Sequence, residues 1–160
     1  MNTPPETPFQ PQRIVSGGQT GVDRAGLELA IAHNIPHGGW CPKGRLSEDG
    51  TIPSRYTMVE MESTDYPART EQNVIDSDAT MILFEHKING GTLLTRRCAR
   101  RWHKPCLTLD IQTAEPSQAR QWLEQIRPDT LNIAGPRESS FPGIGRRALA
   151  FLLEAFGQTR

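Results

Sequence analysis

The sequence of 160 residues predicts a Rossmann-like α/β fold: a doubly wound, mainly parallel sheet with helices on both faces, in a single domain. Three observations carry this expectation. Extended apolar runs alternate with helical patterns along nearly the whole chain. The run Ala79-Thr80-Met81-Ile82-Leu83-Phe84 lacks the polar alternation of a half-exposed strand. Two glycine turns each stand between a strand and a helix start. Strands covered on both faces by crossover helices read as such continuous runs. Right-handed crossovers then bring every strand-to-helix loop to one edge of the sheet, where ligands of these folds bind.

The elements follow in order. Met1 to Gln12 holds four prolines and little to bury, so residues 1–12 read as a flexible tail and residues 13–160 as the ligand-binding domain. Ile14-Val15 is a short strand, and the helix through Leu27 and Ala30 follows the loop 17–21. Pro36 to Trp40 is a second extended piece, closed by Cys41-Pro42-Lys43-Gly44 and a long polar loop. Tyr56 to Met61 is extended, Thr70 to Ser77 is a short helix, and Ala79 to Phe84 is the buried strand. Asn89-Gly90-Gly91-Thr92 turns into a helix that Pro105 ends. Cys106 to Leu109 is a strand, Pro116 opens a helix to about Arg127, and Leu131 to Ala134 is a strand. Ser139 or Ser140 with Pro142 caps the final helix. That helix carries Leu149, Leu152, Leu153 and Phe156 on one stripe, with Phe151 and Ala155 partly off it. Apolar surface on more than one side predicts a homo-oligomer, a dimer or a tetramer.

Composition narrows the function classes. Lysine plus arginine, 18, equals aspartate plus glutamate, 18, so no whole-molecule field favours nucleic acid or an anionic membrane. Arg96, Arg97, Arg100 and Arg101 read as a solvated helix end favoured by the helix dipole. Cys41, Cys98 and Cys106 are odd in number and form no Cys-x-x-Cys pair, as expected of free thiols in a reducing cytoplasm. No apolar run approaches the ~18 residues of a membrane span, and no signal peptide is visible. The expected location is therefore cytoplasmic. His33, His37 and Cys41 are spaced by four, but Pro36, Gly38 and Gly39 break the helix that would align them, so no structural metal is expected.

The loop Gly17-Gly18-Gln19-Thr20-Gly21 has the anatomy of an anion cradle: glycines that admit backbone N–H groups to a ligand, followed by the positive end of a helix. It matches neither G-x-G-x-x-G nor G-x-x-x-x-G-K-[ST]. A plain turn, with Thr20 as helix cap and Asp23 completing a capping box, is the other reading of the same residues. Gly90-Gly91-Thr92 is a second such turn. Two adjacent anion holes suit a diphosphate, a nucleotide or an oxyanion. Trp40, Lys43 and Arg45 could add an aromatic plate and two cations, or pack and pair locally with Glu48 and Asp49. Arg69 opens the helix before the central strand, and Arg137 stands in the loop after Asn132-Ile133-Ala134. Each is a further candidate for an anion.

The runs Ser16-Gly-Gly-Gln-Thr-Gly-Val-Asp-Arg-Ala-Gly, Gly39-Trp-Cys-Pro-Lys-Gly-Arg with Glu48-Asp-Gly, Arg69-Thr-Glu-Gln-Asn-Val, Asn89-Gly-Gly-Thr and Asn132-Ile-Ala-Gly-Pro-Arg together resemble the putative molybdenum (cofactor) carrier protein family. That family is Rossmann-like and related to the lysine-decarboxylase-like (SLOG) proteins. The resemblance implies a small phosphorylated or oxyanionic ligand, such as molybdenum cofactor or a nucleotide, bound by a carrier or sensor. The superfamily also contains nucleotide phosphoribohydrolases with a Pro-Gly-Gly-x-Gly-Thr-x-x-Glu motif, so hydrolysis of a nucleotide N-glycosidic bond is the alternative function. Here Thr95 stands where that glutamate is expected. Asp23 and Glu48 are the carboxylates that could take its acid–base role.

Overall fold

A computed structural model describes residues 7–157 of the chain. The central sheet contains β1 (Arg13–Val15), β2 (His37–Gly38), β7 (Ala79–Phe84), β8 (Cys106–Asp110) and β9 (Thr130–Ala134). All four of its pairings are parallel, in the spatial order β2-β1-β9-β7-β8. The last strand of the chain is thus the middle of the sheet. Because the strands are parallel, the loops leaving β1, β7 and β9 all emerge at one edge.

Among the described residues five α-helices cover the two faces: α1 (Val22–Ala32), α2 (Tyr66–Asp76), α3 (Gly90–Arg101), α4 (Pro116–Ile126) and α5 (Ile144–Phe156). On one face α1, α4 and α5 pack together over Ile14, Met81, Leu83, Leu131 and Ile133. On the other, α2 and α3 meet through Val74, Cys98 and Ala99. β7 serves both faces, and all of its residues but Phe84 are buried. That is why its sequence shows no alternation.

Between β2 and α2 the long polar loop is more ordered than its composition suggests. It contains β3 (Trp40–Cys41), paired in parallel with β6 (Val59–Glu60), a 3-10 turn at Lys43–Arg45, and the hairpin β4 (Leu46–Ser47) to β5 (Gly50–Thr51). Leu27 of α1, Cys41, Ile52 and Tyr56 form a small separate core beneath it.

Several helix starts differ from expectation. α1 is capped by Gly21 without a side-chain hydrogen bond, so Thr20 is not its cap. Gly21 is needed because Pro136 O would lie 2.3 Å from any Cβ there, and the Val22 N–H donates to that carbonyl at 3.2 Å. α2 starts at Tyr66, a turn earlier than Thr70. α5 starts after Gly143, and the Glu138 carboxylate, not Ser139 or Ser140, accepts from its first N–H groups at Gly143 and Gly145.

α5 also changes the case for assembly. Phe151 and Ala155, 7% and 1% exposed, are covered within the chain by its own helices. Of the apolar surface that pointed to a homo-oligomer, these two residues are therefore paired within the chain, while Leu149 and Leu153 stay half-buried. Among the tail residues described, Phe9 packs on the same core, its N–H donates to Glu124 at 2.8 Å and Arg127 lies 4.6 Å from its ring centre. Residues 1–6 of the expected tail lie outside the described residues. No helix among the described residues is long and apolar enough to cross a membrane.

Candidate functional site

The segments that leave β1, β7 and β9, the end of β9 itself and the N-terminal halves of α2 and α3 surround one cavity of ≈ 530 Å³. It is lined by Gly17, Gln19 and Asp23 from the first loop and by Tyr66, Arg69 and Asn73 from α2. Asn89, Gly90, Gly91, Thr92 and Thr95 line it from α3, and Asn132, Gly135, Arg137 and Ser140 from the β9–α5 segment. The two glycine turns that the sequence singled out share this cavity, as do the helix beginning near Arg69 and the loop carrying Arg137.

Its α3 wall is an open helix N-terminus. Asn89 precedes the helix in an extended conformation and makes no side-chain capping bond, and the first backbone bond runs from Leu93 N to Asn89 O at 3.3 Å. The N–H groups of Gly90, Gly91 and Thr92 therefore have no acceptor within the helix. Thr92 lies in the first turn, buried, rather than at the cap. A Cβ on Gly91 would meet nothing within 4 Å, so this wall is bounded by space and not by protein. Helix dipole and free amides together make it an anion-binding surface.

Two cations face the same space. Arg69 and Arg137 flank the Tyr66 ring at 5.4 and 4.8 Å from its centre. Arg69 lies directly over Gly17, where a Cβ would come within 1.5 Å of Nη1. Its Nη1 stands 3.6 Å from Asp23 Oδ2, with both side chains nearly out of solvent, and its Nε has no hydrogen-bond partner. Burial pulls the Arg69 pKa down against the opposing pull of Asp23. Burial likewise raises the Asp23 carboxyl, countered by Arg69 and by the Gln19 N–H, which donates to Oδ2 at 3.2 Å. Asp23 is the one carboxylate among the lining residues. Thr95, in place of the glutamate, turns its hydroxyl back to Gly91 O at 2.9 Å.

The first loop is less of a cradle than expected. Gly18 N donates to Ser16 Oγ at 3.2 Å and Gln19 N to Asp23, so both amides are spent on the fold. A Cβ on Gly18 would face Ile52 and Met58. Thr20 and Gly21 open instead onto a shallow groove with Arg24, Glu48, Asp49, Glu138 and Ser139. There Glu48 accepts hydrogen bonds from the Thr20 hydroxyl and from the Ser139 hydroxyl and N–H. Those bonds hold its pKa below the usual carboxylate value. Glu48 is thus a clasp between the β4–β5 hairpin and the β9–α5 loop, apart from Asp23.

Trp40, Lys43 and Arg45 also stand outside the cavity lining. Trp40 Nε1 donates to Asp76 at 2.6 Å, and its backbone N–H and carbonyl pair with the Asn73 side chain. Arg45 donates to the carbonyls of Ile52, Pro53 and Tyr56. The exposed Lys43 lies in the 3-10 turn, its N–H donating to Ser63 O at 3.1 Å. Asn73, four residues after Arg69 on the same helical face and a candidate with it for ligand contact, lines the site as well. So do Tyr66 and Asn132, which stand beside or within the quoted motifs without a role of their own there. For Tyr66 the signal available was its place one turn ahead of Arg69.

Comparison with known proteins agrees with this architecture. A crystal structure of a "putative molybdenum carrier protein" from Syntrophus aciditrophicus is similar at 44% identity and a TM-score of 0.88, covering 96% of this chain and 98% of that one. No curated protein matches the chain significantly. Residues 14–156, which hold all of the sheet but Arg13, all five helices and every wall of the cavity, match the circularly permutated YpsA SLOG family, and the chain belongs to that family.

Proposed function

We propose that the cavity binds a phosphorylated or oxyanionic small molecule, the chain acting as a carrier or sensor. One observation carries this reading: the uncapped first turn of α3 opens onto the same space as the largely buried Arg69 side chain and the half-buried Arg137. Two cations and three free amides against a single carboxylate, itself shifted toward its neutral form, favour an anion of about two charges. The Syntrophus relative is named for molybdenum, which brings molybdate and molybdenum cofactor into the ligand class beside nucleotides. The donor set supports an oxyanion or a phosphate and not a bare metal cation. No histidine or cysteine lines the cavity, and no cluster of three or more metal-ligating side chains occurs among the described residues. Molybdenum, as cargo, would be held through its oxygens or through the phosphate of an organic carrier. The test is a thermal-shift series with molybdate, phosphate and nucleoside monophosphates, alongside mass spectrometry of whatever co-purifies. A rise in Tm with at least one of them is expected. Indifference to all would end the reading.

Asp23 favours one second reading. A buried carboxyl with a raised pKa is suited to give a proton to a departing base, as hydrolysis of a nucleotide N-glycosidic bond by water requires. Released base from a nucleoside monophosphate, lost in Asp23→Asn, would support it. Glu48, clasped elsewhere, has no part in this version.

A further inference from the structure

The cavity holds a feature that a fully deprotonated oxyanion such as molybdate does not explain. Gln19 is 2% exposed, and its Nε2 donates to Leu46 O at 3.0 Å. That bond fixes the orientation of the amide, because a carbonyl can only accept. Oε1 is therefore the free end, and it has no partner although it is sealed from solvent. A buried acceptor left unpaired is costly, and at a site lined by Gln19 the group that pairs it is one a ligand brings. A fully deprotonated oxyanion such as molybdate brings only further acceptors, and hydrogen phosphate offers little beyond one hydroxyl on the anionic group itself, whereas an organic ligand carries donors apart from its anionic end. Volume points the same way. The ≈ 530 Å³ of the cavity lies within the roughly 300–1,000 Å³ of sites for larger organic ligands, whereas an oxyanion fills only a few water volumes of about 30 Å³ each.

We propose that the ligand is an organic phosphomonoester, its phosphate at the α3 N-terminus with Arg69 and Arg137, and a hydrogen-bond donor on its organic part meeting Gln19 Oε1. This rests on the anion-site reading above and narrows it. The donor is a heterocyclic N–H, as in a purine nucleotide or a phosphorylated pterin, or a sugar hydroxyl.

Calorimetric titration of the full chain tests it with five probes: guanosine 5′-monophosphate, a pterin phosphate, ribose 5-phosphate, inorganic phosphate and molybdate. At least one ester is expected to bind at least about tenfold more tightly than either inorganic ion, the margin of one good hydrogen bond. Preference for the first two over ribose 5-phosphate would identify the N–H source, and equal binding of guanosine 5′-monophosphate and ribose 5-phosphate, with the pterin phosphate weaker, the sugar hydroxyl. Gln19→Met, of similar length but without the acceptor, should lose about tenfold for the preferred ester and nothing for inorganic phosphate. The wild-type comparison stands by itself if that variant does not fold. Molybdate or phosphate matching every ester would overturn the proposal and leave the anion site intact. Unchanged ester affinity in a folded Gln19→Met would also overturn it. No binding of any probe would remove the anion site itself.

Discussion

Gly17 and Arg69 are one device made of two residues. The guanidinium occupies the space where any Cβ at position 17 would stand, 1.5 Å from Nη1 and 2.8 Å from Asp23 Oδ2. Gly17→Ala should therefore expel Arg69 and leave Asp23 buried without its partner. We expect a stability loss of about 1–2 kcal/mol in urea unfolding and a loss of about tenfold or more in anion affinity. Arg69→Met should lower affinity similarly. The double variant should lose little more than either single one, because both remove the same contact; full additivity would show that Arg69 acts without Gly17. Glu48 gives a residue-scale prediction in pH. Its folded pKa lies below the ordinary 4.5 because the Ser139 and Thr20 hydroxyls hold the charged form. The clasp then contributes fully above that value and is lost as pH falls through and below it. Glu48→Gln should melt below wild type at pH 7, with the gap closing on acidification. A gap that stays constant down to pH 3 would show the clasp to be indifferent to charge.

At the scale of elements, the site is an arrangement of helix starts, and sequence revealed them unevenly. The strand Ala79–Phe84 and the turn at Gly90-Gly91 were legible because burial on both faces and a missing Cβ leave direct marks in residue type. In Gly17-Gly18-Gln19-Thr20-Gly21 the structure divides what the sequence reads as one cradle: Gly17 and Gln19 line the cavity, while Thr20 and Gly21 face the neighbouring groove. Glycines that serve the close approach of Pro136, or face Ile52, look in sequence like glycines that serve a ligand. Likewise Trp40, Lys43 and Arg45 have the chemistry of a ligand loop, but their partners at Asp76, Ser63 and Ile52 to Tyr56 come from the tertiary fold. A paired substitution separates the two kinds of glycine. Gly91→Val, projecting into open space in the first turn of α3, should change stability by no more than about 0.5 kcal/mol, since valine is the better helix former, yet it should block the anion. Gly18→Val, at φ 73° and against Ile52 and Met58, should destabilise clearly. Full binding by a folded Gly91→Val would refute the α3 wall as the anion site.

At the scale of the whole molecule, the order β2-β1-β9-β7-β8 explains how residues spread from Gly17 to Ser140 come to line one space. Putting the last strand between the first and β7 brings Asn132 and Arg137 beside Gly17 and across from α3, although they are more than a hundred residues from the first loop. Sequence could place the loops at Gly17, Gly90 and Gly135 on one edge from the parallel alternation alone. By the same reasoning it added the Trp40 to Asp49 loop, which does not line the cavity. It could not say that β9 lies centrally, because strand order is decided by which apolar faces pair, and β1 and β9 carry no mark of each other. This topology makes a prediction that no single loop makes. A bound anion should slow amide hydrogen exchange together in four separated segments: 17–23, 66–73, 89–95 and 132–140. The opposite edge, around His33, Asp78 and Arg127, should be unaffected apart from any uniform gain in global stability. The N–H groups of Gly90, Gly91 and Thr92 should respond most strongly, since they pass from open to bonded, whereas those of Gly18 and Gln19 are already paired within the fold. Protection confined to 89–95 would reduce the site to one helix end. Protection centred on Gly18 and Gln19 would move the anion back to the first loop and contradict the bonding pattern around Ser16 and Asp23.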